Sequence, residues 1–158
     1  MSRVTGAAYD GYDDVYGLLA SGRWERNSRA TVESKRGQKV LRELEAAMLA
    51  LPKPRLARDL FCSVGEDDGD VEACVLGAYA IWKGEARHVP PEYNDTSDWR
   101  DEVETSADEQ ARWAENHLGL AFTLAWNLIE RNDDILGHFT PEERYTRMLA
   151  WIRANLKP

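Results

Sequence analysis

The chain has 158 residues, of which 43% are hydrophobic and 30% charged, and its formal net charge is −8 at pH 7. This length and composition are normal for one globular domain. The negative charge disfavours direct binding to nucleic acid, because contacts with phosphate need cations. No stretch approaches the ~18 apolar residues of a membrane span, and the first residues lack the apolar core of a secretory signal. We therefore expect a cytoplasmic protein with reduced thiols at Cys62 and Cys74 and no membrane partner.

The first third of the chain predicts two helices. We expect residues 1–22 to be a partly flexible N-terminal segment, followed by a single helical domain over residues 23–158. A short basic helix is predicted from Trp24 to Ser34. From Lys35 to Leu51, apolar residues recur at spacings of three and four, which predicts a second helix that Pro52 ends.

The next segment predicts a small hairpin and a buried helix. Arg55–Val64 fits either a short helix or the first arm of a hairpin, with a turn at residues 65–70 and a second arm at Val71–Ala73. The almost wholly apolar run Cys74–Lys83 predicts a buried helix that ends at Gly84. A long acidic loop is then predicted over residues 83–105.

Two further helices complete the predicted fold. Ser106 and Glu109 have the spacing of a capping box, and we expect a helix from Ser106 to about Arg131. Its apolar face is so wide that we expect it to be the central spine, with Lys35–Leu51 and Thr140–Leu156 packed on it. The last helix begins with the cap, first-turn proline and capping-box partner of the segment TPEE. The sequence predicts a mainly α fold, a compact single-domain bundle of five or six helices, with one small β-hairpin around residues 56–73.

Charge is unevenly distributed along the chain. The stretch from Glu92 to Glu109, here called the acidic run, has a single base, Arg100, and a second acidic cluster lies between Glu66 and Glu72. The acidic residues of the run are Glu92, Asp95, Asp98, Asp101, Glu102, Glu104, Asp108 and Glu109. The stretch 23–42 is instead basic. Its arginines and lysines could contact phosphate, but we favour a solvated helix face that pairs with the protein's own acids. Such a pattern can steer a charged partner but does not determine a fold.

The sequence contains no established catalytic or metal-binding signature. The histidines His88, His117 and His138 lack the helical spacing of metal ligands, and two cysteines are too few for a structural zinc site. His117 is predicted to be a core or boundary histidine, and Cys74 an inert buried thiol. There is no glycine-rich phosphate loop and no serine nucleophile motif. We therefore expect no catalytic residue, no cofactor and no metal.

The chain resembles a group of uncharacterised phage and prophage proteins of proteobacteria. The resemblance covers about 120 residues from Arg36 onward, and it depends on the order of several short motifs. They are RGQKVLRELEAAMLALPKPRL (Arg36–Leu56), VEACVLGA (Val71–Ala78), ERND (Glu130–Asp133) and TPEERYTRMLAWI (Thr140–Ile152). The resemblance implies a mobile-element origin, a location in the cytoplasm of the bacterial host and a mostly helical fold. The acidic run and the six tryptophans depart from the group.

These observations favour a phage accessory protein that binds and inhibits a host factor. The most specific version is an anti-CRISPR or other anti-defence inhibitor, whose carboxylates mimic nucleic acid in the basic groove of a host protein such as a CRISPR effector subunit. The predicted partner-binding carboxylates are Asp95, Asp98, Asp101, Glu102, Glu104 and Asp108, and Tyr93 and Trp99 are the predicted aromatic anchors.

Two alternatives remain open at this stage. One is a hydrolase-like enzyme that uses an acid–base cluster of Glu130, Asp133, Asp134 and His138, although these residues also fit a helix end and a polar connection. The other is a phage structural or assembly protein, which large-scale oligomerisation would reveal.

Overall fold

The computed structural model describes residues 26–58, 61–64, 71–94, 107–133 and 139–158. Within these ranges the chain forms six α-helices, two short 3-10 helices and one two-stranded antiparallel sheet, which confirms the expected mainly α fold with a small hairpin. The elements in chain order are α1 (residues 26–33), α2 (Lys35–Leu49), β1 (Cys62–Val64), β2 (Val71–Ala73), α3 (Val75–Trp82), η1 (Ala86–His88), η2 (Pro91–Asn94), α4 (Ala107–Leu118), α5 (Phe122–Asp133) and α6 (Pro141–Asn155).

A tight corner joins α1 to α2. The Ser34 hydroxyl caps α2 by accepting a hydrogen bond from the Gly37 amide at 2.9 Å. A Cβ on Gly37 would lie 1.9 Å from the carbonyl oxygen of Thr31, so only glycine permits this approach of the two helices. The α2 helix ends at Leu49, two residues earlier than predicted, and Leu51 is half-buried beyond it.

The hairpin and α3 form the centre of the fold. In the sheet, Cys62 pairs with Ala73, so the hairpin reading of this ambiguous segment is confirmed. The α3 helix packs against α2, α4, α5 and both strands, and its residues 75–80 are all buried. Gly77 allows this packing, because a Cβ there would lie 1.7 Å from the Phe61 carbonyl oxygen. Gly84, with a φ of 77°, lies two residues beyond the end of α3.

The single helix predicted from Ser106 to Arg131 is wrong. The chain forms two helices, α4 and α5, separated by residues 119–121. Gly119 has a φ of 77°, which takes the chain out of the α4 helix, and Arg36 donates two hydrogen bonds to its carbonyl oxygen at 3.0 and 2.7 Å. The α4 and α5 helices pack extensively against each other, so the wide apolar pattern reflects two facing helices. The central element is therefore α3, not a long spine.

The last helix is as predicted. Thr140 and Glu143 form a reciprocal capping box at 3.1 and 2.9 Å, with Pro141 in the first turn of α6. The α6 helix buries Tyr145, Met148 and Ile152 against the core and packs on α2 and α5.

The described part of the predicted loop over residues 83–105 is folded. Residues 83–94 contain η1 and η2, and Val89 and Tyr93 are buried there. Residues 95–105 lie outside the described ranges, as do Ser106, the predicted turn at 65–70 and the predicted N-terminal segment 1–22.

Candidate functional site

The acidic run begins and ends at one place on the helical body. The Tyr93 ring packs on Phe61, with a centroid distance of 5.6 Å, and Phe61 also packs on Trp113 of α4 at 5.5 Å. The Phe61 amide donates to the Tyr93 carbonyl at 3.3 Å. The Tyr93 hydroxyl donates to the backbone carbonyl of Glu109 at 3.3 Å. The residues just before and just after the undescribed stretch 95–106 are therefore held together by buried aromatic packing and hydrogen bonds.

The described carboxylates of the run lie around this anchor. Burial raises the pKa of the Tyr93 hydroxyl, and the negative charges of Glu109 and Glu92 raise it further. Asp108 and Glu109 occupy the first turn of α4, where the helix dipole favours negative charge. Asp108 also forms an ion pair with Arg112 at 3.0 Å, which compensates part of its charge.

Two of the predicted partner-binding residues are described. Tyr93 is only 9% exposed and packs inside the body, so it does not present an exposed aromatic anchor to a partner. The ring instead joins the two described ends of the run from within the body, and a contact of Tyr93 with a partner stays a prediction. Asp108 lies at the surface end of α4, paired as described above. The remaining residues, Asp95, Asp98, Trp99, Asp101, Glu102 and Glu104, lie outside the described ranges.

The hydrolase alternative involves the end of α5. Glu130 is exposed, and Asp133 contacts the amide of Asn132 at 3.2 Å. Asp134 and His138 lie outside the described ranges. Between these acids, Asn132 is buried and bridges two backbone segments, so its role is structural. Among the described residues, no group of three histidine, cysteine or acidic side chains could hold a metal ion.

Both cysteines are reduced and buried. Burial raises the pKa of the Cys62 thiol to about 11 and that of Cys74 to about 12. The Cys74 sulfur accepts a hydrogen bond from the Gly77 amide at 3.4 Å and thereby caps α3. Cys74 is buried as predicted, and because a protonated, buried thiol is a poor nucleophile, we expect it to be inert.

His117 is not a core histidine. It is exposed near the end of α4, and its ring stacks on that of Trp113 with a centroid distance of 4.8 Å. The His88 ring lies 6.4 Å from His117, and the Trp113 indole donates to the His88 carbonyl at 3.2 Å. His117 falls on the apolar face of the helix because its ring packs on Trp113 at the surface.

The described part of the basic stretch is a solvated face. All six of its described bases are exposed: Arg26, Arg29, Lys35, Arg36, Lys39 and Arg42. Lys39 pairs with Glu43 of the same helix at 3.2 Å. Arg42 donates to the Lys157 carbonyl at 3.4 Å, and Arg36 donates to the Gly119 carbonyl at 3.0 Å.

Sequence reasoning missed a groove between α1, α5 and α6. Two adjoining open hollows of about 390 and 320 Å³ share Asn127, Arg131 and Trp151 in their linings. The Arg131 guanidinium lies over the Trp151 ring at 4.6 Å. The sequence shows Arg131 near Trp126 on one predicted helix and Trp151 on another. It does not show that Arg131 and Trp151 come together, because that contact depends on how α5 and α6 pack.

The short motifs behind the resemblance have structural roles here. In RGQ, Gly37 permits the α1–α2 corner, and the buried Gln38 amide donates to the carbonyls of Val32 and Asn155 at 2.8 and 2.9 Å. In TPEER, the buried Arg144 donates to the carbonyls of Leu56 and Phe139 at 2.7 and 2.9 Å. These contacts give the motif residues structural roles in this fold, and they assign no activity.

Comparisons of this chain with protein-family models, with curated proteins and with solved structures give no match. Among the described residues, no helix combines the length and the apolar character needed to cross a lipid bilayer.

Proposed function

We propose that this protein is a phage or prophage accessory protein that binds and inhibits a host factor through the acidic run. Its most specific form is an anti-CRISPR or other anti-defence inhibitor, whose carboxylates occupy a basic groove that otherwise holds nucleic acid. The observation that supports this proposal is that the two described ends of the run are fixed at one place, where the Tyr93 hydroxyl contacts the Glu109 carbonyl at 3.3 Å.

The anchor supports the proposal because it limits how widely the charges can spread. Five acidic residues of the run lie in sequence between Asn94 and Ala107, the two described residues on either side. The described residues on both sides of these five acids lie at one place on the body, joined through Tyr93 and Glu109. Carboxylates held in one region at a stable base can add their potentials, which favours association with a positively charged groove.

Several acids elsewhere in the described body are compensated by neighbouring bases. Glu43, Glu45 and Glu72 each pair with a lysine or an arginine. For the hydrolase alternative, exposed Glu130 lies at the edge of an open groove, and no described contact joins it to Asp133. We therefore advance binding rather than hydrolysis.

The proposal is tested by removing charge at two places. The variant D98N/D101N/E104Q neutralises three acids of the run, and the control E33Q/E130Q/E142Q neutralises three exposed acids of α1, α5 and α6. Both lose the same formal charge. The assay measures how well each protein displaces labelled DNA from purified DNA-binding CRISPR effectors.

We expect wild type and control to displace the DNA, and the run variant to be weaker by on the order of tenfold or more. Equal displacement by the two triple variants would contradict a specific role for the run. Failure of the wild-type protein to displace DNA from every effector tested would contradict the anti-CRISPR form of the proposal.

A further inference from the structure

The groove between α1, α5 and α6 contains a guanidinium held in a fixed orientation. Arg131 lies over the Trp151 ring at 4.6 Å, and its Nε donates to the Asn127 side-chain oxygen at 2.6 Å. The Asn127 amide nitrogen in turn donates to the hydroxyl of Ser28 at 2.9 Å, and Ser28 is buried in α1. Three helices therefore set the direction in which the guanidinium points.

Arg131 forms no ion pair in the described part of the chain, although Glu33 and Glu130 line the same hollows. By contrast, Arg112 and Arg153 each form an ion pair with a carboxylate, Arg112 with Asp108 at 3.0 Å and Arg153 with Glu45 at 2.6 Å. No described carboxylate pairs with Arg131, and its terminal nitrogens donate no hydrogen bond to a described residue. Arg131 as a residue is exposed, and desolvation on the side that faces the groove lowers its pKa.

A fixed, partly desolvated guanidinium with available terminal donors is suited to a planar anion. Carboxylates accept two parallel hydrogen bonds from such a fork, and the interaction is stronger where water is partly excluded. The half-buried rings of Trp126 and Trp151 lie beside it in the same groove and offer apolar contact area. The site therefore combines an oriented guanidinium with an apolar wall, and the exposed bases Arg29 and Arg147 also line the two hollows.

We propose that this groove binds a short acidic peptide segment of a partner protein, with one carboxylate on Arg131 and an adjacent apolar side chain on the tryptophans. A peptide fits better than a nucleic-acid strand for two reasons. The exposed acids Glu33 and Glu130 line the two hollows and would repel a continuous row of phosphates. One face of the Trp151 ring is also already covered by Arg131, which leaves at most one face for a base.

The test uses the full chain and a short labelled peptide of alternating leucine and aspartate. Binding is measured by fluorescence anisotropy, and the tryptophan indole N–H signals are followed by NMR. The comparison probes are the same peptide with asparagine in place of aspartate, and an oligothymidylate of similar length. The variants are R131Q, R131K and, as a matched control, R112Q, whose guanidinium also lies over a ring, that of Phe122, at 5.1 Å.

We expect the acidic peptide to bind and to shift the Trp151 indole signal, and the asparagine peptide to bind at least about tenfold more weakly. R131Q should lower the affinity by a similar factor, R131K should restore part of it because it keeps the charge but not the fork, and R112Q should have no effect. Tighter binding of the oligothymidylate, unchanged binding by R131Q, or no binding of the acidic peptide would each overturn the proposal.

Discussion

Replacing Asn132 tests the structural account of the ERND motif at its most buried residue. Asn132 is 1% exposed in the last turn of α5. Its side-chain oxygen accepts from the Val75 amide at the start of α3 at 2.9 Å, and its amide nitrogen donates to the Ala57 carbonyl, also at 2.9 Å. One side chain thus joins α5, α3 and the segment before the hairpin.

The substitution Asn132→Ala removes both hydrogen bonds, each worth about 1 kcal/mol net. It also leaves the buried Val75 amide without its acceptor, which adds a desolvation cost of about 1–3 kcal/mol. We expect a total loss of about 3–5 kcal/mol in the free energy of unfolding. Asn132→Asp should be at least as destabilising at neutral pH, because a carboxylate oxygen would face the Ala57 carbonyl. Any additional destabilisation by Asn132→Asp should become smaller at acidic pH, because a protonated carboxyl group can donate a hydrogen bond to the Ala57 carbonyl.

Urea unfolding followed by circular dichroism measures the effect as a lower transition midpoint with an unchanged slope. Asn116→Ala, at an exposed position of α4, is the control and should change stability by less than about 0.5 kcal/mol. An Asn132→Ala variant as stable as that control would refute the bridging role.

Three further predictions follow from packing and burial. Gly77→Ala should lower the free energy of unfolding in urea by more than about 3 kcal/mol, because its Cβ would lie 1.7 Å from a backbone carbonyl oxygen. Gly84→Ala, which has open space around it but a positive φ, should lower it by about 1–2 kcal/mol. Equal losses for the two variants would contradict the close approach at Gly77. Both cysteines should resist a thiol reagent in the native state and react in urea, and rapid native labelling would contradict their burial. The hydrogen bond from the Tyr79 hydroxyl lowers the pKa of Glu43 below its usual value of 4.5. The contribution of this hydrogen bond to the stability of the fold should therefore be present above pH 4.5 and be lost as the pH falls through the pKa of Glu43 in the folded state. Tyr79→Phe should weaken this acid dependence in unfolding free energies measured from about pH 6 to pH 3, and an identical pH profile would contradict the assignment.

The local signals in the sequence predicted α6, α3 and the hairpin arms well. Thr140, Pro141 and Glu143 define the start of a helix by short-range hydrogen bonds, so no tertiary information is needed there. The break at Gly119 was missed because α4 and α5 face each other. Residues that pack between two helices give the same apolar periodicity as one long helix, and a single glycine is the only local sign of the turn.

The candidate site was only partly predictable for a similar reason. The sequence shows where acids are concentrated. It does not show that the Tyr93 ring is buried and joins the two described ends of the run. Aromatic residues serve equally as core residues and as surface anchors, and only packing distinguishes the two. The Arg131 groove needs α1, α5 and α6 together, and residues as distant as Ser28 and Asn127 set its geometry.

The salt dependence of binding to a basic-grooved effector tests the central claim most directly. If the acidic run binds by charge, the affinity of the wild-type protein should fall steeply between about 50 mM and 500 mM NaCl. The fall should be shallower for D98N/D101N/E104Q, which has fewer charges to screen. An affinity that stays constant across this range, or an equally steep fall for that variant, would contradict the account.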